Sequence, residues 1–142
     1  MRGSSGVTLV ELLTVVVVVG ILAAVAIPNY RKTVEREYYR KTEDLLLTIY
    51  SGERAYFFVN DSYVALNASS TNTQWRQIHM DDPNDISTMP VGFSVTSSGS
   101  GGSATFTATA TRNGGPCDGR TRTINDSRTL GGNWGSCSQV GL

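Results

Sequence analysis

The sequence predicts an α+β protein in which one long N-terminal helix covers a small antiparallel sheet. Residues 7–27 are almost all apolar, and residues 29–59 place apolar side chains at helical spacing. After Pro90 the apolar side chains alternate with a period of two, as in half-buried strands. We therefore expect a helix of about fifty residues followed by a sheet of three or four strands.

The first half of the predicted helix is apolar enough to cross a membrane. At about 1.5 Å per residue, residues 7–27 would reach about 31 Å, close to the hydrocarbon thickness of a bilayer. This run nevertheless carries a carboxylate, Glu11, near its beginning. An unpaired charge inside a bilayer costs a few kcal/mol, so such a residue usually has a partner.

The order of features differs from that of a secretory signal peptide. A signal peptide has a basic start, an apolar stretch of about 7–15 residues and then a small-residue cleavage site. Here the small residues GSSG precede a longer apolar run, and no A-x-A-like site follows it. Cleavage after Gly6 would therefore leave the apolar segment on the mature chain. A simple signal anchor holding a soluble domain at the membrane is the alternative.

The second half of the predicted helix, residues 29–59, is amphipathic. Steps of mostly three, four and seven residues indicate one buried face, and charged residues such as Glu35 and Glu43 are expected on the other faces. Glu37 and Lys41 have the i,i+4 order that favours an ion pair. The residues that define the expected apolar face are Tyr30, Val34, Tyr38, Leu45, Ile49 and Tyr56.

The composition of the middle of the chain predicts mostly loop. Gly52 and the stretch NDSYVALNASSTNTQ have turn composition, and a short helix is expected around QWRQIHM. The acidic stretch DDPND at residues 81–85 offers oxygen ligands for calcium, but it lacks EF-hand spacing, and a solvated acidic turn is the favoured interpretation. His79 is the single histidine and has no recognisable catalytic partner.

The strand pattern follows Pro90. VGFSVTS and SATFTATAT flank the turn SGSGG, which predicts a hairpin. RTRTIND, with Ile124, offers a third strand, and TLGGNWGSC an edge strand or a tail. Such a sheet has one apolar face that needs a cover, and the amphipathic half of the long helix supplies it.

Composition and motifs argue against several function classes. Twelve basic and 12 acidic residues leave no global charge to attract nucleic acid. The sequence holds no P-loop, dinucleotide-binding glycine pattern, nucleophile motif or metal-ligand cluster, so we expect no enzyme, no cofactor and no metal. Cys117 and Cys137, together with a membrane-targeting segment, suggest an oxidising compartment and one disulfide, with two unpaired thiols as the alternative.

The stretch GVTLVELLTVVVVVGILAAVAIPNY resembles the N-terminus of the type IV pilin family. The shared features are Gly6 before an apolar residue, Glu11 five positions later, Gly20, and Pro28 closing the run. The resemblance covers roughly a fifth of the chain, and the remainder agrees in general layout. It implies the pilin form of the α+β fold.

The resemblance also implies roles for individual residues. A prepilin peptidase would cut between Gly6 and Val7 and methylate the new amine at Val7. In the assembled filament, Glu11 would neutralise the Val7 amine of a neighbouring subunit, because two charges that are each costly in a dry core become tolerable when paired. Gly20 and Pro28 would let the helix bend or locally unwind during assembly.

The same resemblance implies a division of the chain. Residues 1–6 would be the leader, residues 7–28 the half that lies in the membrane and later in the filament core, and residues 29–142 the globular head. The C-terminal block resembles the end of proteobacterial pilins, in which a disulfide, here between Cys117 and Cys137, brackets a final strand and loop.

The function implied is structural. The chain would be a type IV pilus subunit that polymerises with itself and other pilins and serves adhesion, motility or DNA uptake. Its partners would be the prepilin peptidase, the assembly machinery of the inner membrane, and membrane lipid before assembly. It would lie in the inner membrane as precursor and subunit pool, and in the extracellular pilus after assembly.

Two related functions stay open. One is a pseudopilin of a type II secretion system, although the main subunit there usually has a calcium-binding C-terminal loop and no such cysteine pair. The other is a minor tip pilin with a ligand- or DNA-binding head. Nucleic acid is not an expected partner, since nearby acids offset the C-terminal arginines and no aromatic residues interleave with them. These arginines are Arg112, Arg120, Arg122 and Arg128.

Overall fold

The computed structural model describes residues 6–141 and confirms the α+β class. The predicted leader, apart from Gly6, lies outside the described residues. The helices are α1 (Leu9–Asn60) and α2 (Asn72–Trp75), and the strands are β1 (Val91–Ser98), β2 (Thr105–Arg112), β3 (Thr121–Asn125) and β4 (Leu130–Gly132). Short 3₁₀ turns occupy Arg76–Ile78, Pro83–Asp85 and Gly101–Ser103.

The chain divides into two compact units, with the boundary between Val34 and Glu35. We call residues 6–34 the apolar unit and residues 35–141 the folded unit. Helix α1 contributes to both, and it continues through Pro28, as the sequence predicts. Each unit is described by itself below.

The sheet of the folded unit has the strand order β1-β2-β3-β4, with every neighbouring pair antiparallel. The predicted hairpin, third strand and edge strand are therefore confirmed. The period-two pattern buries one face of β1 and β2. On this face Val95 pairs with Ala108, which pairs in turn with Ile124, the buried residue of β3. Helix α1 covers this face, for example where the Tyr50 ring lies 6.1 Å from the Phe106 ring.

The buried face of α1 differs from the predicted one. Of the six expected residues only Ile49 is fully buried, whereas Tyr30 is 71% exposed. The buried stripe is rotated relative to the expected one, and it includes Glu35, whose partner Arg112 lies on the sheet. The buried residues of α1 are Glu35, Tyr39, Thr42, Leu46, Ile49, Gly52 and Glu53.

The segment between α1 and β1 packs more closely than its loop composition suggests. The predicted short helix is α2 with the turn Arg76–Ile78 that follows it, and Trp75 and Ile78 are buried in the core. Gly52 lies inside α1 rather than in a turn, and a Cβ at this position would clash with the carbonyl oxygen of Ile78. The glycine allows the helix to approach this segment.

The C-terminal end of the folded unit is tied down covalently. Cys117 and Cys137 form the expected disulfide, with Cα atoms 5.9 Å apart, and both residues are buried. Trp134, also fully buried, packs edge-on against Tyr39 of α1 with ring centroids 6.0 Å apart. The last residues of the chain are thereby held against the helix.

Candidate assembly segment

Helix α1 begins with a reciprocal hydrogen-bonded cap. The N–H and the hydroxyl of Thr8 both donate to Oε2 of Glu11, each at 3.3 Å. The N–H of Glu11 donates in return to Oγ1 of Thr8 at 3.2 Å. This is the capping box of a T-x-x-E sequence, and its carboxylate also lies favourably at the positive end of the helix. The T-x-x-E spacing is visible in the sequence, but our sequence reading did not include it.

The apolar side chains that follow are exposed all around the helix. The structure shows α1 to be long and apolar enough, in length and composition, to cross a membrane. Exposure among the large apolar residues of this stretch runs from 50% at Val18 to 81% at Leu9. A helix that is apolar on every side is stable only when lipid or other protein surrounds it. The apolar surface is therefore expected to be covered by lipid or by another protein molecule.

Glu11 is the acidic group within this apolar surface. No salt bridge reaches it within residues 6–141. Its hydrogen bonds to Thr8 satisfy part of the carboxylate but supply no positive charge. A counter-charge for Glu11 has to come from outside the described contacts.

The other residues singled out in the sequence lie in open positions. Gly6 and Val7 precede the helix and are exposed, Val7 to 73%. A Cβ at Gly6 or at Gly20 would meet nothing within 4 Å, so packing inside the chain does not require glycine at either position. Pro28 lies inside α1 and is exposed.

Comparison with known proteins identifies this segment. The family described as the prokaryotic N-terminal methylation motif matches residues 1–27. The N-terminal segment therefore carries this methylation motif and is similar to the start of a type IV pilin. The chain is 40% identical over 58 residues to the type IV major pilin protein PilA of Myxococcus xanthus, which is 41% of this chain and 26% of that protein. The match thus spans about a quarter of the relative's length. No solved structure matches the chain significantly.

The folded unit encloses an ion pair that was not predicted from the sequence. Glu35, expected on an exposed face, is only 2% exposed, and Arg112 of β2 is 5% exposed. The guanidinium binds the carboxylate in two places, Nε to Oε1 at 2.9 Å and Nη2 to Oε2 at 3.1 Å. The Trp134 indole N–H donates to the same carboxylate at 3.3 Å. The two charges can be buried because they are paired with each other and because the indole N–H donates a further hydrogen bond to the carboxylate.

A second pair lies further along the same helix. Arg122 of β3 donates from Nε to Oε1 of Glu43 at 2.9 Å, and its guanidinium lies 5.3 Å from the Tyr39 ring centroid. Burial and the hydrogen bond to Glu43 raise the pKa of the Tyr39 hydroxyl. Glu43 was also expected on an exposed face. Two of the four C-terminal arginines are therefore bound to α1, so they do not form a free basic patch with the others.

Glu53 is a buried carboxyl group of a different kind. It is fully buried on α1, and its Oε2 accepts a hydrogen bond from the N–H of Val64 at 2.9 Å. Its Oε1 has no hydrogen-bond partner within residues 6–141. Burial raises the pKa of Glu53 to about 7, and the bond from Val64 opposes this only in part.

The acidic stretch at residues 81–85 is used for structure. Oδ1 of Asp82 accepts from the N–H and the side-chain amide of Asn84, at 2.8 and 2.9 Å. Asp85 accepts from Asn72, and Asp81 pairs with Arg76 at 3.0 Å. Across residues 6–141 no group of three or more His, Cys, Asp or Glu side chains is placed to hold a metal ion. Each carboxylate of this turn has a local partner.

Proposed function

We propose that this chain is a structural subunit of a type IV pilus that polymerises through its N-terminal helix into an extracellular filament. The observation that carries this proposal is the exposed apolar surface of residues 7–27, which holds Glu11, a carboxylate without a salt bridge among residues 6–141. Before assembly, lipid of the inner membrane covers this surface. In the filament, the same surface packs against other copies of the helix.

Processing supplies the missing charge in this proposal. Prepilin peptidase cuts between Gly6 and Val7 and methylates the new amine, which is cationic and lies about one helical turn from position 11. Because both bonds from Thr8 go to Oε2 of Glu11, Oε1 can accept from an amine without breaking the cap. We assign this acceptance to the Val7 amine of a neighbouring subunit. The pair then fixes the axial register of one helix against the next.

Different segments of the chain have different roles in this function. Residues 1–6 are the leader, residues 7–28 serve first as membrane span and then as filament core, and residues 29–142 form the head at the filament surface. Gly20 and Pro28 allow the helix to bend or locally unwind as it leaves the membrane, because glycine and proline both weaken a helix at their positions. The assembly machinery of the inner membrane performs the transfer, and the filament serves adhesion, motility or DNA uptake.

Processing at Gly6 provides the test. Gly6→Trp should leave uncut precursor in the membrane, because a bulky residue does not fit a protease subsite built for glycine. Gly3→Trp, the same change three positions upstream, is the matched control and should be processed. Mass spectrometry of sheared filaments from the parent chain should find an N-terminus at methylated Val7. Filaments that retain Met1, or a cut beyond Ile27, would overturn the proposal.

A further inference from the structure

The C-terminal end of α1 carries an exposed apolar projection. Phe58 and Val59 are 77% and 84% exposed, and the Arg54 guanidinium lies 5.5 Å from the Phe58 ring centroid. Arg54 also donates to the Tyr63 hydroxyl at 2.9 Å, which holds the guanidinium in place. Aromatic residues and arginine are enriched in protein–protein interfaces. We call Arg54, Phe58 and Val59 the knob.

A cleft lies on the flank of the same helix. It encloses about 280 Å³, and its apolar lining comes from Tyr38 and Leu45 of α1 and from Ile86 and Met89 of the segment before β1. Asp44 lies at its edge. Ligand pockets usually enclose roughly 300–1,000 Å³, so a cleft of this size suits one or two apolar side chains rather than a small molecule.

The knob cannot fill the cleft of its own chain. Phe58 lies 13 positions beyond Leu45 on one continuous helix, which corresponds to about 20 Å along the axis and an angular separation of about 140° around it. A contact between them therefore joins two copies through different surfaces. Such head-to-tail contacts generate rings when the rotation closes and helical polymers when it does not.

Charge also matches between the two surfaces. Arg54 is cationic, Asp44 is anionic, and no salt bridge within residues 6–141 involves either of them. Lys41, the other charged residue of the cleft, is already paired with Glu37 at 3.5 Å. The cleft thus presents an unpaired negative charge beside an apolar floor, and the knob presents a positive charge beside an apolar tip.

We propose that the knob of one subunit docks in the cleft of the next copy of this chain, with Arg54 facing Asp44 across the contact. The proposal rests on the filament function proposed above and adds a second contact to the one made by the N-terminal helices. The expected occupant of the cleft is a second copy of the chain, so binding of a different protein in the cleft would contradict the proposal.

Cysteine crosslinking in filaments tests the contact directly. Val59→Cys combined with Ile86→Cys should give a ladder of disulfide-linked multimers on non-reducing gels of sheared filaments, because the two native cysteines are already paired with each other. Ser127→Cys with Ile86→Cys is the control, since Ser127 is also exposed but lies outside the knob, and it should crosslink at least about tenfold less. Intact filaments without the ladder, or crosslinks from position 59 to another protein, would overturn the inference alone.

Charge reversal gives an independent readout. Arg54→Glu and Asp44→Lys should each lower filament yield by about tenfold, because each places like charges across the contact. The double variant should restore the yield to within about threefold of the parent. If the two losses simply multiply in the double variant, the charges do not face each other. Absence of filaments from the parent chain itself would overturn the proposed function and this contact with it.

Discussion

Helix α1 carries carboxylates in apolar surroundings in both units, but the partners of these carboxylates differ between the units. In the folded unit, Glu35 is buried and receives its counter-charge from Arg112 of the same chain. In the apolar unit, Glu11 lies among exposed apolar side chains and receives only hydrogen bonds from Thr8. The counter-charge of Glu35 therefore lies within the same chain, whereas Glu11 has no counter-charge among residues 6–141.

Glu53 shows what happens when burial comes without a counter-charge. The folded unit offers it one hydrogen bond and no cation, and burial raises its pKa to about 7. Glu35, at a comparable depth, faces a guanidinium and an indole N–H. At a comparable depth the two carboxyl groups therefore differ in their partners, since Glu35 has a cation and Glu53 has none among residues 6–141.

Breaking the ion pair of the folded unit should have the largest effect. Arg112→Met leaves Glu35 buried without a counter-charge and should lower the free energy of unfolding by about 3–5 kcal/mol. Urea unfolding of the full chain in detergent, followed by tryptophan fluorescence, measures this. The matched control is Arg112→Met combined with Glu35→Gln, which removes both charges and should cost clearly less. A double variant less stable than the single one would show that the pair does not act through charge.

Removing the disulfide should have the next largest effect, and only in the folded unit. Replacing Cys117 and Cys137 by serine releases a loop with a sequence separation of 20, which should cost about 3 kcal/mol. Urea unfolding under the same conditions measures the loss, while the helix of the apolar unit in detergent should keep its circular dichroism signal. Free thiols at both positions in the parent chain would contradict the assignment.

Replacing Glu53 should have the smallest effect on stability, and this effect should depend on pH. Its pKa is near 4.5 in the unfolded chain and about 7 in the fold, so the folded state holds the proton more tightly. The stability contributed by the protonated form is therefore present below about pH 4.5 and is lost as pH rises through 7. Glu53→Gln should raise stability at pH 8 by about 1–3 kcal/mol and flatten the profile between these values.

The control for this profile is Glu37→Gln, which removes an exposed carboxylate from the same helix. It should leave the slope of stability against pH unchanged between pH 4.5 and 7. An equal change of slope in both variants would mean that Glu53 is not the group responsible.

Much of the fold follows from local sequence pattern. Strands β1 and β2 follow the predicted period of two, and the turn between them falls at the glycine- and serine-rich stretch. The helix continues through Pro28 because the apolar and amphipathic patterns on either side are both helical. Such features depend on residues close together in the chain, which is why the sequence alone predicts them.

The buried face of α1 could not be predicted in the same way. Glu35 and Arg112 are 77 positions apart, and periodicity rules place a glutamate on the exposed side unless its distant partner is known. Trp75 and Ile78 are buried although their surroundings have loop composition, because Gly52 lets the helix approach them. In the candidate site, the sequence singles out Glu11 as a charge within an apolar run. The capping box that Glu11 forms with Thr8 could also have been predicted from the T-x-x-E spacing.

The central claim, that another copy of the chain supplies the counter-charge of Glu11, is tested most directly by counting filaments made by Glu11→Gln. Glutamine also supports a capping box, so the start of the helix is retained and only the charge is lost. The precursor should still insert and be cut after Gly6. Filament number should fall at least about tenfold, because the Val7 amine would enter the core unpaired at a cost of roughly 3–5 kcal/mol per subunit. Normal filament number and length with normal processing would contradict the account.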